Sequence, residues 1–340
     1  MKKKKIILTT GGTGGHVFPA QVVAEALSNH HILFVGGGLK ENRFFDHSHF
    51  ASQEISTATF RFSNPIKMAS GGCSIIKGIW QSRKILLDFM PDLVVGFGSF
   101  HTLPLLLAAT HLKIPLILYE QNAILGKVNR LFSRFAKITT LNFPIKIAGN
   151  SQLVHFPLRH RKKIEDPWRY FGLKKGRPTL LIFGGSQGAA RLNEIFLDAI
   201  PFLSAFQFLH FTGSKWKADK ELYKNTIHYL KPFEPNLMEA MSIADLAICR
   251  AGAATLSELI ASETPAVLIP FPHATDNHQE INARYFPGGE VLLEKDLNGK
   301  KLSEVIHRFP IEAKRKEIQT FKKKQNSLHL ADVIEGVLYG

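Results

Sequence analysis

The feature that most constrains the fold is a unit that occurs twice: a short apolar run, a glycine-rich turn and then a helical pattern. In the first unit, the apolar run Ile6–Thr9 leads into the turn Gly11–His16. In the second, Thr179–Phe183 leads into Gly184–Ala189. Further apolar runs alternate with helical segments after each unit. Because strands that alternate with helices form parallel sheets covered on both faces, we predict an α/β protein with two similar domains.

Helices are expected directly after three loops, and their starting points matter for any site. Proline is favoured in the first turn of a helix, so we expect Pro19 to open a helix over Ala20–Ser28. A second helix, Arg191–Ala199, should follow the second glycine turn. A third, Leu256–Ser262, should follow the loop Arg250–Thr255. Ligands of open α/β sheets bind at the carboxyl ends of strands, so these loops predict a cleft between the two domains.

The domain boundary is expected in the proline-bounded segment Pro157–Pro178, which contains the charge run Arg159–Lys163. We therefore assign residues 1–158 to the first domain and residues 159–310 to the second. A second crossing near Phe309–Pro310 would return the basic tail, residues 311–340, to the first domain.

The chain is strongly basic, with 43 lysine and arginine residues against 28 aspartate and glutamate residues and a formal net charge of +15. An excess of this size predicts an anionic partner, which could be nucleic acid, anionic lipid or a phosphorylated substrate. The apolar segment after Lys2–Lys5 is shorter than the roughly 7–15 residues of a secretory signal, and no apolar run approaches the roughly 20 residues of a membrane span. Two distant cysteines form no disulfide or metal-ligand pattern, so we expect a protein of the reducing cytoplasm.

Two stretches combine apolar and basic residues, Ser74–Lys84 and Gly126–Lys137. This combination is what a helix lying on an anionic membrane surface needs. An ordinary amphipathic helix that faces its own core would give the same pattern, so both interpretations stay open.

The two glycine turns are candidate phosphate sites. Glycine lets the backbone approach a ligand, and the amide groups at the start of the following helix attract phosphate. Neither turn matches the dinucleotide fingerprint, and tight strand-to-helix turns also use glycine for geometry alone. Two such turns at equivalent points predict a diphosphate donor on one domain and a second substrate on the other.

His16 closes the first turn where a helix begins. The positive end of the helix dipole disfavours imidazolium, and a neutral imidazole can accept a proton from an attacking hydroxyl. A capping or packing histidine is the alternative. Glu258 lies one turn beyond Thr255, where a carboxylate can accept the two hydroxyls of a ribose. The alternative there is a capping box, because Thr255 and Glu258 have the T-x-x-E spacing.

His273, Asp276 and His278 superficially resemble metal ligands, but no second cluster and no D-x-D motif accompanies them. Gln279 and Asn282, three residues apart on one helix face, suit polar contacts to a sugar. We therefore expect no metal and no other cofactor.

Together these motifs resemble the MurG family of UDP-N-acetylglucosamine:undecaprenyl-pyrophosphoryl-N-acetylmuramoyl-pentapeptide N-acetylglucosaminyltransferases. The matching segments stand in family order over nearly the whole chain: GGTGGHVFP at 11–19, YEQN at 119–122, GGSQGA at 184–189, RAGAATLSE at 250–258 and HQEINA at 278–283. The resemblance implies two Rossmann-like domains facing across a cleft, the GT-B architecture. It also implies inverting transfer of N-acetylglucosamine from UDP-N-acetylglucosamine to the 4-hydroxyl of lipid I, at the cytoplasmic face of the bacterial inner membrane.

The resemblance also assigns residues. His16 resembles the proposed catalytic base, and Glu120 is the second candidate for that role. Glu258 would hold the ribose, and Gln279 and Asn282 would read the N-acetylglucosamine. The other implied substrate contacts are Thr13, Gly14 and Gly15 near the diphosphates, and Asn122, Arg159, Ser186, Arg250, Ala253, Ala254, Thr255, Leu256 and Ser257 for the donor.

The places where the chain departs from the family include two near candidate site residues. Ser99-Phe100-His101 stands where the family usually has Gly-Tyr, and Arg159 is reached through a different tetrapeptide, His155–Leu158. Another UDP-sugar-dependent glycolipid glycosyltransferase, or a UDP-N-acetylglucosamine 2-epimerase of the same fold, is the alternative enzyme. A basic nucleic-acid-binding protein is the non-enzyme alternative, but no established motif of that class occurs, so we expect no nucleic acid. The sequence indicates no protein partner.

Overall fold

The computed structural model of the protein describes residues 2–58, 65–158, 163–185, 188–217, 219–325 and 327–340, without the side chains of 65–70 and 220. The chain divides into two compact units. Unit 1 comprises Met1–Arg159 and Ser327–Gly340, and unit 2 comprises His160–Asn326.

Unit 1 is built on a parallel sheet of seven strands within the described residues, in the order β3-β2-β1-β4-β5-β6-β7. The strands are β1 (Lys5–Thr9), β2 (His31–Gly36), β3 (Ser52–Glu54), β4 (Leu93–Gly96), β5 (Leu116–Glu120), β6 (Ile138–Leu141) and β7 (Ser151–Leu153). Successive residues of β1, Ile6, Ile7 and Leu8, are all fully buried. Burial on both faces is expected for a parallel sheet between helices, and each such side chain stabilises the fold by about 1.5–3 kcal/mol.

Helices cover both faces of this sheet. On one face, α1 (Gly14–Ala26) packs against Ile6, Leu8 and Phe34. The other face is covered by α2 (Pro65–Phe89), α3 (Leu103–His111) and α4 (Lys127–Phe132).

Unit 2 repeats the design with a parallel sheet of six strands among the described residues, in the order β10-β9-β8-β11-β12-β13. Its strands are β8 (Thr179–Phe183), β9 (Gln207–Phe211), β10 (His228–Lys231), β11 (Leu246–Cys249), β12 (Ala266–Leu268) and β13 (Gly289–Val291). Its helices are α5 (Pro167–Tyr170), α6 (Ala190–Ala199), α7 (Leu237–Ile243), α8 (Ala253–Ser262), α9 (His278–Arg284), α10 (Gly299–Arg308) and α11 (Ile311–Lys324).

The chain returns to unit 1 at Ser327, whereas the sequence placed this crossing near residue 311. The difference arises because α11 packs within unit 2. Ile318 of this helix is fully buried, and Lys322 pairs with Glu263 at 2.6 Å. The last helix, α12 (Leu330–Tyr339), then contributes its apolar face to the core of unit 1. No helix in the described ranges is both long and apolar enough to cross a membrane.

Two helix starts were predicted wrongly. Helix α1 begins at Gly14 and contains Pro19, and α8 begins at Ala253. In each case an extended residue supplies the N-cap, Thr13 with ψ 161° and Gly252 with ψ 145°. The Thr13 carbonyl already accepts from the first turn of α1, so Pro19 lies inside a helix that has already begun and continues to Ala26.

Candidate functional site

The glycine turn of unit 1 runs from β1 into α1, and neighbouring chain encloses it tightly. A Cβ at Gly11 would lie 2.5 Å from the Gly37 carbonyl oxygen. Gly12 has a φ of 81°, in the region that favours glycine. Asn42 donates from Nδ2 to the Gly12 carbonyl at 2.8 Å. These constraints hold the path of the turn.

The start of α1 is the part of this turn that can receive an anion. Thr13 is an exposed N-cap residue, and its hydroxyl makes no capping hydrogen bond. The amide groups of Gly14 and Gly15 lie in the first helical turn, which has no preceding helical carbonyl to accept from them. Because partial positive charge at this end stabilises phosphate, the three predicted residues form one potential anion site.

His16 is the third residue of α1, and its half-buried ring faces the loop after β4. Its Nδ1 lies 2.9 Å from the Phe97 carbonyl oxygen. A carbonyl can only accept, so Nδ1 carries the proton and Nε2 carries the lone pair of the neutral ring. Gln121 Nε2 is placed 3.2 Å from the same Nδ1. Because two donors cannot share a hydrogen bond, a protonated Nδ1 requires the Gln121 amide to be turned over, with its oxygen on that side. This is the tautomer that a base acting through Nε2 needs.

Glu120 ends β5 and is only 3% exposed. Asn122 donates to Oε1 from its backbone at 3.0 Å and from its side chain at 3.3 Å. Gly126 and Asn129 donate to Oε2 at 2.8 and 3.0 Å. Burial raises the pKa of Glu120, and these hydrogen bonds oppose the rise. With both oxygens engaged by its own loop, Glu120 is better suited to hold that loop than to act as the second candidate base.

Gln121 and Asn129, which lie beside His16 and Glu120, were not among the site residues predicted from the sequence. Gln121 contacts His16, and Asn129 reaches from α4 to both Glu120 and the Tyr119 carbonyl. The signal for Gln121 was its place shortly after the apolar run Pro115–Leu118, at a predicted strand end, where ligands of open α/β sheets bind. Asn129 gave no comparable signal, because a polar residue in a basic helix is usually solvated.

Residues Ser99–His101, where the sequence differs from the family, lie against the same turn. Ser99 has φ 73° and ψ 152°, a backbone region that is essentially restricted to glycine. His101 lies beside Gly11 and Gly12, and its Nδ1 is 3.3 Å from the Thr57 hydroxyl. Burial lowers the pKa of His101, and Glu54 partly offsets this. The ring therefore borders the turn as a neutral group.

The glycine turn of unit 2 lies between β8 and α6. Gly185 and Gly188 have φ values of 87° and 79°, and the Gly188 amide donates to the Gly185 carbonyl at 2.9 Å. The predicted contacts Ser186 and Arg159 lie outside the described residues.

The start of α8 forms the second potential anion site. Gly252 is the N-cap, so Thr255 lies inside the helix and the capping-box interpretation of Thr255 and Glu258 is wrong. The amides of Ala253, Ala254 and Thr255 have no acceptor among the described parts of the chain. Glu258 follows one turn later and is half-buried.

Two of the predicted contacts on α8 are already used by the protein. The side chain of Leu256 is 1% exposed, and its amide donates to the Gly252 carbonyl at 3.0 Å. The Ser257 hydroxyl donates to the Ala253 carbonyl at 2.9 Å. The Leu256 amide and the Ser257 hydroxyl proton are therefore engaged within the start of α8, and contact of these two residues with the donor stays a prediction.

Arg250 is likewise turned toward the protein. Its guanidinium donates to the carbonyls of Ile269 and Pro270 at 3.1 and 3.2 Å and pairs with Glu294. It also lies over the Phe271 ring, 5.5 Å from the centroid. These contacts tie together the loops that follow β11 and β12 and engage the guanidinium within the protein, and contact of this side chain with the donor stays a prediction.

Gln279 and Asn282 share α9 but hold different loops. Gln279 accepts from the Phe271 amide at 3.0 Å and is half-buried. Asn282 is fully buried and donates to the Ala251 carbonyl at 3.4 Å. The placement of Asn282 is therefore at odds with direct contact to a sugar, whereas Gln279 keeps a partly accessible amide.

Two of the three residues considered as metal ligands, His273 and His278, make contacts within their own loop. The His278 ring lies 2.8 Å from the Thr275 carbonyl through Nδ1, and the His273 ring packs against Phe271. No group of three His, Cys, Asp or Glu in the described part of the chain is arranged to hold a metal ion.

Comparison with known proteins identifies the class. The N-terminal domain model of glycosyltransferase family 28 matches residues 6–140, and its C-terminal domain model matches residues 179–336. The chain is 37% identical, over 97% of its length and 95% of the relative, to the UDP-N-acetylglucosamine–N-acetylmuramyl-(pentapeptide) pyrophosphoryl-undecaprenol N-acetylglucosamine transferase of Protochlamydia amoebophila. It is 38% identical to the protein of the same name from Chlamydia pneumoniae, over 96% and 94% of the two chains. The crystal structure of Acinetobacter baumannii MurG has a TM-score of 0.76 at 27% identity, covering 98% of both chains.

Two parallel-sheet α/β domains of this kind define a glycosyltransferase with the GT-B fold. The chain belongs to glycosyltransferase family 28 and, within it, to the MurG family. The predicted family, fold class and enzyme class are thereby confirmed.

Proposed function

We propose that the protein transfers N-acetylglucosamine from UDP-N-acetylglucosamine to the undecaprenyl-pyrophosphoryl-linked N-acetylmuramoyl-pentapeptide, converting lipid I to lipid II in peptidoglycan synthesis. Relatives of this name match almost the whole chain. The observation that carries the proposal in the structure is the His16 ring, fixed through Nδ1 at the start of a helix that can bind phosphate.

The donor is bound by unit 2 in this proposal. The amides of Ala253, Ala254 and Thr255 accept the diphosphate at the positive end of α8, and the glycine turn before α6 contributes further amides. Glu258 accepts the ribose hydroxyls, and Gln279 contacts the N-acetylglucosamine. Ser186 and Arg159 remain candidates from the family resemblance.

The acceptor diphosphate is bound by Thr13, Gly14 and Gly15 of unit 1, next to the proposed base. The acceptor 4-hydroxyl gives its proton to His16 Nε2 while its oxygen attacks the anomeric carbon. The bond from that carbon to UDP breaks with inversion, and its electron pair leaves on the diphosphate. The Phe97 carbonyl stabilises the resulting imidazolium through Nδ1. An oxocarbenium-like transition state is expected, as in glycoside hydrolysis.

Glu120 has a positioning role in this scheme. Its hydrogen bonds to Asn122, Gly126 and Asn129 hold the loop that begins with Gln121. Because Gln121 contacts the His16 ring, Glu120 supports the base and Asn122 without taking the proton itself.

Unit 1 also carries the surface that we propose lies on the anionic cytoplasmic leaflet of the inner membrane, where cell-wall synthesis serves cell shape and division. Along α2, Ile76, Trp80 and Leu87 are 69%, 68% and 53% exposed. Their spacing of four and seven residues puts them on one side of the helix, with Arg83 and Lys84 exposed between them. An amphipathic helix facing its own core explains the buried Ile75 and Leu86 of α2 but not this exposed stripe.

The region around α4 adds to this surface. Leu131 and Phe135 are 46% and 53% exposed, and Arg134 lies over the Phe135 ring at 5.8 Å. Exposed Lys127 and Arg130 accompany them. Apolar side chains with adjacent cations suit a headgroup interface.

The deciding experiment is transfer of radiolabelled sugar from UDP-N-acetylglucosamine to lipid I, with a soluble acceptor analogue as control. We expect label in the lipid product only when acceptor is present. Conversion of the donor without acceptor would favour the 2-epimerase, and transfer to other glycolipids would favour a different glycosyltransferase. Nucleic-acid binding without UDP binding would leave the non-enzyme alternative.

A further inference from the structure

A buried polar network in unit 2 lies beneath the glycine turn and takes no part in the transfer chemistry. Its side chains are Asn193 on α6, His210 on β9 and Tyr223, and all three are fully buried. The Tyr223 hydroxyl contacts His210 Nδ1, and His210 Nε2 lies 3.1 Å from Asn193 Oδ1. Asn193 Nδ2 donates to the Thr212 carbonyl at 3.0 Å.

Hydrogen-bond chemistry allows one arrangement of these groups. Asn193 must present Nδ2 to the Thr212 carbonyl, so its Oδ1 accepts from His210 Nε2–H. His210 Nδ1 is then unprotonated and accepts from the Tyr223 hydroxyl. Burial lowers the pKa of His210 to about 3 and raises that of Tyr223, so the network stays neutral at working pH. A buried network with its partners satisfied is rigid and orients the groups attached to it.

This network orients the Thr212 carbonyl, which lies next to Gly188 of the glycine turn. A Cβ at Gly188 would lie 2.6 Å from the Thr212 carbonyl oxygen and 3.1 Å from the Gly213 Cα. Gly188, a described residue of the turn, therefore lies directly against the 212–213 backbone. Because the Gly188 amide donates to the Gly185 carbonyl, a shift of the Thr212 carbonyl would be transmitted to both glycines.

We propose that Asn193, oriented by His210 and Tyr223, is a positioning residue for donor binding that sets the glycine turn through the Thr212 carbonyl. The proposal rests on the assignment of the donor diphosphate to this turn and to α8. Losing the Asn193 bond would let the Thr212 peptide and the turn shift together. The anion site of unit 1 would not change, because none of these residues belongs to it.

The test is Asn193→Leu, which keeps the side-chain size but cannot donate to Thr212. Calorimetric titration should show a Kd for UDP raised roughly five- to 140-fold, which corresponds to about 1–3 kcal/mol for one lost hydrogen bond with its partner left unsatisfied. The donor KM should rise similarly, while the acceptor KM stays unchanged. Tyr223→Phe is a graded variant, since it removes the hydroxyl that donates to His210 but leaves the Asn193–Thr212 bond. It should lower Tm and weaken UDP binding clearly less than Asn193→Leu does.

A second variant covers the case in which Asn193→Leu does not fold. Asn193→Asp is nearly isosteric, and its carboxyl can donate to Thr212 only when protonated. Burial raises the pKa of such a carboxyl, so UDP affinity should improve as pH falls from 8 toward 6, whereas the wild type should show no such gain. A folded Asn193→Leu that binds UDP as tightly as wild type, or a Tyr223→Phe variant that weakens UDP equally, would overturn the positioning role. A wild-type protein that binds no UDP would instead refute the donor site.

Discussion

The glycine turns of units 1 and 2 share a strand–turn–helix topology, but different chemical groups surround them. The turn of unit 1 is bordered by two imidazoles, those of His16 and His101, and His16 has Nε2 as its proton-accepting nitrogen. The turn of unit 2 rests on a neutral buried network that includes His210. The same strand–turn–helix backbone, which can bring amide groups close to a phosphate, is therefore combined with two different sets of side chains. In the proposed mechanism, unit 1 accepts the proton through His16 and unit 2 only binds the donor, which agrees with function residing in sites rather than in the fold.

The largest expected effect tests the proton-transfer side of this comparison. His16→Asn should lower kcat by roughly 10²–10⁴-fold, the usual contribution of a general base, because asparagine can keep the bond to Phe97 but cannot accept the proton. UDP affinity should barely change, since the loss is felt in the transition state. Steady-state kinetics and calorimetric titration with UDP measure both quantities.

His111→Asn, at the exposed end of α3, is the matched control and should leave kcat unchanged. If His16→Asn is stable and retains near wild-type kcat, His16 is a structural residue of the turn. Glu120 would then be the next side chain to substitute, despite its hydrogen bonds within the loop.

The second prediction tests the binding side. Glu258→Ala should weaken UDP roughly 10- to 100-fold, because charge-assisted hydrogen bonds to the ribose are lost. Acceptor KM should not change, because Glu258 belongs to unit 2. Comparison of UDP with 2′-deoxy-UDP sharpens the test, since the wild type should lose affinity for the deoxy ligand and the variant should not discriminate. Equal discrimination by both proteins would place the ribose elsewhere.

Both sheets were predictable from sequence, whereas two helix starts and the orientation of two polar side chains were not. The alternation of apolar runs and helical segments predicted both sheets because parallel strands must be buried on both faces. The starts of α1 and α8 were placed six and three residues too late, because backbone conformation at Thr13 and Gly252 supplies the caps rather than a proline or a hydroxyl. Arg250 and Asn282 were expected to face a ligand, yet both are turned inward to hold loops.

Polar type and spacing do not reveal which way a side chain turns at a strand end. Loop packing decides it, as at Arg250 after β11. The pairing of His16 with Gln121 shows the same limit. It depends on β1, β4 and β5 being neighbours in the sheet, which the order of motifs along the chain does not specify.

The third prediction asks whether the two units also differ in membrane contact. Replacing Lys127, Arg130 and Arg134 with glutamine should reduce co-sedimentation with anionic vesicles at least roughly tenfold at low salt, since each basic residue near such a surface contributes about 1 kcal/mol. Binding of the wild type should weaken as salt rises. The matched control is the same charge change in unit 2, at the exposed Lys316, Lys323 and Lys324 of α11. An equal loss in the control, or equal wild-type binding to neutral vesicles, would contradict a surface specific to unit 1.

The smallest expected effect concerns strain beside the turn of unit 1. Ser99 has φ 73° and ψ 152°, and a non-glycine residue in such a region costs about 1–3 kcal/mol. Ser99→Gly removes this strain but loses the 3.4 Å bond from the His101 amide to the serine hydroxyl and adds about 0.4–1 kcal/mol of unfolded-state entropy. The balance should be a gain in stability of about 1 kcal/mol, measured as a higher denaturant midpoint. Lys113→Gly is the control, because φ 55° there lies in the milder left-handed region on the exposed surface. The gain in stability from Lys113→Gly should be smaller than that from Ser99→Gly. A loss of stability in Ser99→Gly alone would mean that the Ser99 hydroxyl, which holds His101 against the turn, stabilises the protein by more than the backbone strain costs.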